Sequence, residues 1–441
     1  MIHSILRIFR TRVWVSLSGL LLFVALARRM GPELQGVVSY SVMLANLLVL
    51  GANVGLDTSA VFFMNRKRVP ARDYLRLSLP LLLCSATFTT LLLIVFSQTR
   101  ALGGHLRDGS MLLPVVLLVL LDMALQMSRF LLLARERFDE FNRLEQLVSV
   151  FLLLFVGAAL VWQPTRPAWV VVAYVACRVM VMGWVLIRVH PQRDDVPPAH
   201  MLPTRKGILA YSLQPWIGNV ITTLGTRLDM FLLAWFITRS PKVTAVDLGL
   251  YTICLMAMTR IQDAQMAINN VFYPRVASVP LEESRRLAAR FYRISWLVYV
   301  LIFLAVVVAG WPVLALFGKA YTSAFPTLLT LTFGYLVVKA NVGVIALYFT
   351  STGRPHVPIW INAATTLTSL ILLLVLIPLS GTLGAALASL GAGVVSKILY
   401  ARTFLVESGL KRQDLRLRKS DLVEIRKWVR NGLAGWMGDR S

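Results

Sequence analysis

Seven stretches of the 441-residue chain are apolar almost from end to end: 13–27, 79–96, 111–134, 147–162, 168–189, 294–316 and 357–379. Each meets or approaches the roughly 20 residues a helix needs to cross about 30 Å of hydrocarbon. Inside a bilayer every backbone N–H and C=O must be satisfied within its own segment, so such stretches become helices. Hydrophobic residues make up 57% of the chain and charged residues only 15%. A soluble domain carries about 25% charged residues, and no soluble fold needs this many such blocks. The chain is therefore expected to be an all-α polytopic membrane protein.

Twelve spans are expected, at about 12–28, 35–64, 76–98, 111–134, 144–162, 168–189, 208–237, 246–274, 293–316, 321–350, 357–379 and 381–404. Spans longer than 23 residues are accommodated by tilt or by protrusion from the core. The charges order these spans. Of 45 Lys and Arg residues, 31 fall on the side that holds the N-terminus and the tail, 8 on the other side and 6 within spans. By the positive-inside rule both termini are cytoplasmic. The apolar first stretch, behind Arg7, Arg10 and Arg12, ends in Ala25-Leu26-Ala27 like a secretory signal. It is read as a retained first span, because everything after it is also membrane-embedded.

The net charge of +24 would ordinarily suggest nucleic acid. Here the basic residues sit on alternate loops between apolar blocks, so nucleic acid is not an expected partner. Cys84, Cys177 and Cys254 each lie inside an apolar block, with no spacing of a disulfide framework or zinc site. No metal site and no cofactor are expected. The glycine-rich run from Gly381 is preceded by no strand and followed by no Lys-Ser/Thr, so it is not a phosphate-binding loop. Loops are short, the longest at 188–207 and 275–293. A membrane enzyme built on a large outer loop is therefore disfavoured.

The polar, proline-rich stretch at 191–206 divides the chain into an N-terminal six-helix lobe, 1–190, and a C-terminal one, 207–405. Gly36-Val-Val-Ser-Tyr40 opens the second span of one half, and Leu248-Gly-Leu-Tyr251 the second span of the other. An even number of helices separates the halves, which makes the repeat parallel, a transporter signature with the site between halves near the midplane. Residues 406–441 form a basic cytoplasmic tail. Leu422, Ile425, Val429, Leu433 and Trp436 recur there at helical spacing, as an amphipathic helix on an anionic leaflet requires. Such a tail also suits a scaffold that recruits assembly partners. In the last span Gly381, Gly384, Ala385, Ala386, Ala388, Gly391 and Ala392 recur every three or four positions, which lets helices approach closely.

One ordered set of short motifs carries a resemblance. Leu26-Ala-Arg-Arg-Met-Gly-Pro-Glu-Leu-Gln-Gly36 is followed by Gly51, Gly55-Leu-Asp57, Arg227-Leu-Asp229, Gly249-Leu-Tyr251 and Tyr273-Pro274. Leu316-Phe-Gly318 with Tyr321, and Ile377-Pro378 through Gly384-Ala-Ala386, complete it. In this order, over nearly the whole chain, the set resembles the polysaccharide (Wzx-type, O-antigen or oligosaccharide) flippases. That family shares a superfamily with multidrug and toxin extruders and lipid II flippases. The resemblance implies about 12 transmembrane helices in two six-helix lobes around a central cavity. It also implies a flippase that moves an undecaprenyl-diphosphate-linked oligosaccharide from the cytoplasmic to the outer leaflet of a bacterial inner membrane by alternating access. A polymerase and glycosyltransferases of glycan assembly are the protein partners it suggests. A cation-coupled efflux transporter of the same superfamily is the alternative.

An ionisable side chain at the bilayer centre costs about 2.5–3.5 kcal/mol on insertion scales, so those inside spans mark functional candidates. A lipid diphosphate is anionic, and the planar fork of arginine binds two phosphate oxygens. Arg178, Arg227, Arg260 and Lys339 are accordingly the expected substrate contacts, and Asn53, Gln214, Asn219, Gln262 and Asn269 are placed to meet sugar hydroxyls. Asp57, Asp229 and Asp263 are the expected ion-coupling or gating residues, for H+ or Na+. Simple charge pairing competes with this reading: Arg260 with Asp263, Asp229 with Arg227 or a neighbouring helix. Asp122 and Arg129 share a face of the fourth span, and Arg129 and Lys397 are placed to snorkel to the interface.

Overall fold

The structure is a computed structural model that describes residues 2–65, 69–98, 109–135, 137–163, 165–188, 204–237, 239–277, 279–339, 342–352, 354 and 356–416. Most of the 191–206 linker, and the expected tail helix beyond 416, lie outside these residues. Among the described residues there is no strand. The helices are α1 (Ile2–Ala52), α2 (Leu56–Asn65), α3 (Ala71–Gln98), α4 (Gly109–Ala134), α5 (Phe138–Trp162) and α6 (Pro167–Arg188). They continue with α7 (Arg205–Phe236), α8 (Ala245–Ala277), α9 (Leu281–Phe317), α10 (Phe325–Thr332), α11 (Val342–Ser351) and α12 (His356–Ser408). A 3₁₀ segment, Lys319–Ala324, leads into α10, and a π-helical segment, Phe333–Lys339, prolongs it.

Eight helical stretches among the described residues are long and apolar enough to cross a membrane. Two of them are too long for one pass. Trp14–Ala52 has 39 residues and His356–Ser408 has 53; at 1.5 Å per residue these reach about 58 and about 80 Å, against about 30 Å of hydrocarbon. Each is broken where the backbone leaves helical geometry. Gly31 sits at φ 72°, just before Pro32, and Gly381 at φ 56°, just after Pro378. Glycine adopts positive φ without a Cβ penalty. Each stretch thus makes two passes. The helices α7 and α8 are long enough to span but less apolar, because they carry Arg227 and Asp229, and Arg260, Gln262 and Asp263. Together these make an all-α polytopic membrane protein of about twelve spans.

The chain divides into two compact units. The first comprises 1–252 with 316–321, and the second comprises 253–315 with 322–441. In the first, the opening half of α1 helps build a core: Leu22, Leu26 and Met30 pack with Val156, Leu160 and Val170. A second core joins α4, α5 and α6 through Leu125, Leu132, Leu144, Cys177 and Val181. In the second unit the ends of α9, α11 and α12 meet over Tyr292, Ile345, Phe349, Tyr400 and Phe404. At the same end the Arg293 guanidinium donates to the Asp414 carbonyl at 2.6 Å.

Several family-like motifs sit where the chain turns or where backbones nearly touch. A Cβ on Gly249 would lie 1.8 Å from the Pro32 carbonyl oxygen, and one on Gly36 would lie 2.7 Å from the Gly249 nitrogen. Gly36 and Gly249 therefore pack on each other. A Cβ on Gly384 would come within 2.0 Å of the Leu376 oxygen, which makes the α12 break possible. Ala385, Ala386 and Ala388 are fully buried beside it.

Candidate functional site

The polar architecture begins at the second break in the α1–α2 pass. Val54 (φ 46°) and Gly55 (φ 70°) interrupt the helix between Ala52 and Leu56. A Cβ at Gly55 would meet the Ser212 carbonyl oxygen at 2.3 Å, so α7 crosses here at backbone distance. An interrupted helix frees carbonyls that hydrocarbon cannot satisfy. The Trp216 indole N–H takes one, donating to the Leu50 carbonyl at 2.9 Å. The Tyr74 hydroxyl donates to the Leu56 carbonyl at 2.5 Å and lies 2.8 Å from the Ser59 hydroxyl, to which Ser212 donates at 2.8 Å.

Asp57 is buried at the first turn of α2. The side-chain amides of Asn53 and Gln126 each donate to its Oδ2 at 3.1 Å. A carboxylate at a helix N-terminus is also favoured by the helix dipole. Gln126 belongs to a polar seam along α4. One turn before it, Asp122 accepts from the Arg178 guanidinium of α6 at 2.5 Å, with the two side chains 9% and 12% exposed. One turn after it, Arg129 pairs with Glu145 of α5 at 2.6 Å. One face of α4 thus ties three neighbouring helices.

Asp229 in α7 is buried and accepts from the Tyr251 hydroxyl at 2.6 Å and from the Met230 backbone N–H at 2.7 Å. Arg227, two residues earlier, is half-buried. Also in the first unit, the Leu316–Gly318 motif meets the Leu26–Gly36 motif. Arg28 donates to the Leu316 carbonyl at 2.7 Å, and the buried Tyr321 hydroxyl bonds the buried Gln35 side chain.

In the second unit Arg260 lies mid-way along α8 and Lys339 ends the π-helical segment, and both side chains are exposed. The π-helix shifts hydrogen bonding by one residue. Its Val337 carbonyl receives two side-chain donors, Trp296 Nε1 and Lys397 Nζ, each at 3.2 Å. Lys397 therefore turns to the backbone of its own unit. The side chains of Asp263, Gln214 and Asn269 lie outside the described residues. Asn219 is exposed, and Asn53 is committed to Asp57.

Sequence reasoning overlooked Gln126, Tyr74, Ser59, Ser212 and the Gln35–Tyr321 pair. Gln126 had a visible signal: it follows Asp122 by four residues in an otherwise apolar span, on the same helix face. The hydroxyls had none, because Ser and Thr are common in spans and usually bond their own helix.

Residues 25–326 match the family described as polysaccharide biosynthesis protein. The chain belongs to that family. No curated protein sequence matches the chain. Solved structures share its fold at low identity. "Lipid II flippase MurJ, inward closed conformation" is 11% identical with a TM-score of 0.67, covering 94% of this chain and 89% of that one. An inward-facing multidrug-resistance MATE transporter of the MOP superfamily is 16% identical with a TM-score of 0.66, over 92% and 98%. A MOP-superfamily transporter from Pyrococcus furiosus, titled for the reversed polarity of its binding pocket, is 13% identical with a TM-score of 0.56, over 92% and 95%. In this polysaccharide biosynthesis protein the fold is thus one shared with flippases and extruders.

Proposed function

We propose that this protein is a flippase for an undecaprenyl-diphosphate-linked oligosaccharide, moving it from the cytoplasmic to the outer leaflet of the bacterial inner membrane. The observation that carries the reading is two exposed cationic side chains, Arg260 mid-way along α8 and Lys339 at the end of the π-helical segment. An ionisable group within a span is costly in hydrocarbon and so marks a functional candidate, and a guanidinium or ammonium suits an anionic cargo. A diphosphate supplies the anion, and a fold shared with a lipid II flippase supplies the precedent for a lipid-linked cargo.

Arg227, Arg260 and Lys339 are assigned to the diphosphate. Arg178 reaches it only if its pair with Asp122 opens. Lobes at 1–190 and 207–405 alternate access by rocking. Asp57, Asp229 and Asp263 are assigned the coupling or gating roles, for H+ or Na+. Both termini face the cytoplasm, where a polymerase and glycosyltransferases of glycan assembly are the expected partners. A cation extruder of the same fold needs an acidic cavity, so exposed Arg260 and Lys339 count against it.

The test is reconstitution with a lipid-linked oligosaccharide and export in cells. Arg260→Ala is expected to abolish glycan export while membrane insertion stays intact. Export at the wild-type rate by that variant removes Arg260 from the site, and drug resistance conferred by the wild-type chain would favour the extruder.

A further inference from the structure

A cavity of about 600 Å³ lies at one end of the α5–α6 hairpin, lined by none of the residues assigned above to the cargo. Its lining includes Arg137, Glu140, Arg143, Val150, Trp184 and Arg188. Three arginines against one glutamate leave it a formal charge of +2. Glu140 is committed to Arg137 by an ion pair within the first turn of α5. Arg143 and Arg188 are exposed, and among the described residues neither has a hydrogen-bond or ion-pair partner.

The cavity opens on the outside of its unit. The inward stripe of α5, including Asn142, Leu144, Val148 and Val156, is buried, whereas Val150 and Leu154 on the other side are 38% and 60% exposed. On α6, Leu186 and Ile187 are 70% and 76% exposed. In a spanning helix such an apolar exposed face meets acyl chains. The charged end therefore sits at headgroup level, with an indole beside it, where tryptophan is enriched. Basic pockets between spanning helices on the cytoplasmic side recognise anionic headgroups, and the Lys and Arg distribution puts this end on that side.

We propose that this groove binds an anionic phospholipid of the inner leaflet. The phosphodiester sits between Arg143 and Arg188, Trp184 packs at the ester level, and an acyl chain follows Val150 and Leu154. Arg137, oriented by Glu140, extends the field without being a direct ligand.

The test uses the full-length protein in mild detergent, with bound lipid read by native mass spectrometry. Phosphatidylglycerol, phosphatidylcholine and inorganic phosphate are the probes. Wild-type protein is expected to retain phosphatidylglycerol over phosphatidylcholine, and millimolar phosphate is expected to leave it in place. A membrane-surface arginine contributes about 1 kcal/mol, so R143Q and R188Q each lower the preference about 5-fold and together abolish it. R166Q, which removes the same charge beyond the other end of α6, leaves the preference unchanged. R143K/R188K, which keeps the charge, recovers part of it and reports folding independently. Equal retention of the two lipids by wild-type protein overturns the proposal. So does preference unchanged in R143Q/R188Q, or displacement by phosphate alone, which would make the groove a free-anion site.

Discussion

The Asp122–Arg178 pair allows a stability experiment that also decides a functional role. The two side chains are 9% and 12% exposed, and the contact is 2.5 Å. Removing one partner of a buried pair costs about 3–5 kcal/mol, whereas replacing both with apolar side chains of similar volume is often neutral or stabilising. The two single changes should not be equal. Asp122→Asn strands a guanidinium that cannot lose its proton, while Arg178→Met strands a carboxyl that can gain one. Asp122→Asn is therefore expected at the upper end of that range, about 5 kcal/mol, and Arg178→Met nearer 3 kcal/mol. D122L/R178M should recover most of the loss. The readout is thermal unfolding in one detergent, with glycan export measured beside it. Single variants as stable as wild type would refute the pair. A double variant that is stable but exports nothing would show that Arg178 must open to meet cargo. One that is stable and active would confine it to holding α4 against α6.

Other outcomes follow from single contacts. Gly249→Ala places a methyl 1.8 Å from the Pro32 oxygen, while Gly31→Ala meets no atom within 4 Å and bears only the strain of φ 72°. Gly249→Ala should therefore prevent monodisperse purification, and Gly31→Ala should cost about 1–3 kcal/mol in thermal unfolding. Trp216→Phe deprives the Leu50 carbonyl of its side-chain donor. A loss of about 1–3 kcal/mol is expected, read by the same unfolding assay, as for a buried acceptor left unmet. Lys397→Met leaves Trp296 on the Val337 carbonyl, so stability should fall by about 1 kcal/mol or less with export retained. Lys339→Ala, at a residue assigned to the diphosphate, is expected to abolish export, read in the same cells.

Much of the fold was legible without coordinates, because hydrocarbon leaves the backbone few choices. An apolar run of the right length must become a helix, and the runs near 13–27 and 357–379 became spans. The expected span boundaries near 28–35 and 379–381 coincide with breaks at Gly31 and Gly381, whereas the expected 35–64 span is interrupted at Gly55. The charges in α7 and α8 lowered their hydropathy without hiding their length. The candidate site was legible only as a set of residues. Which cation is neutralised depends on which helix lies opposite, and that is settled by tertiary packing. Arg178 and Arg260 are both single guanidiniums within expected spans, Arg178 among apolar neighbours and Arg260 three residues before Asp263. Packing buries Arg178 against a carboxylate fifty-six residues away, whereas the Arg260 side chain is exposed. Asp57 shows the same dependence. Its Gly55-Leu-Asp57 motif was legible inside an expected 35–64 span, but neither the helix start at Leu56 nor the Gln126 amide from another span was. Helix formation in a bilayer is decided by a residue's near neighbours, whereas the partner of a buried charge is decided by contacts that sequence distance does not encode.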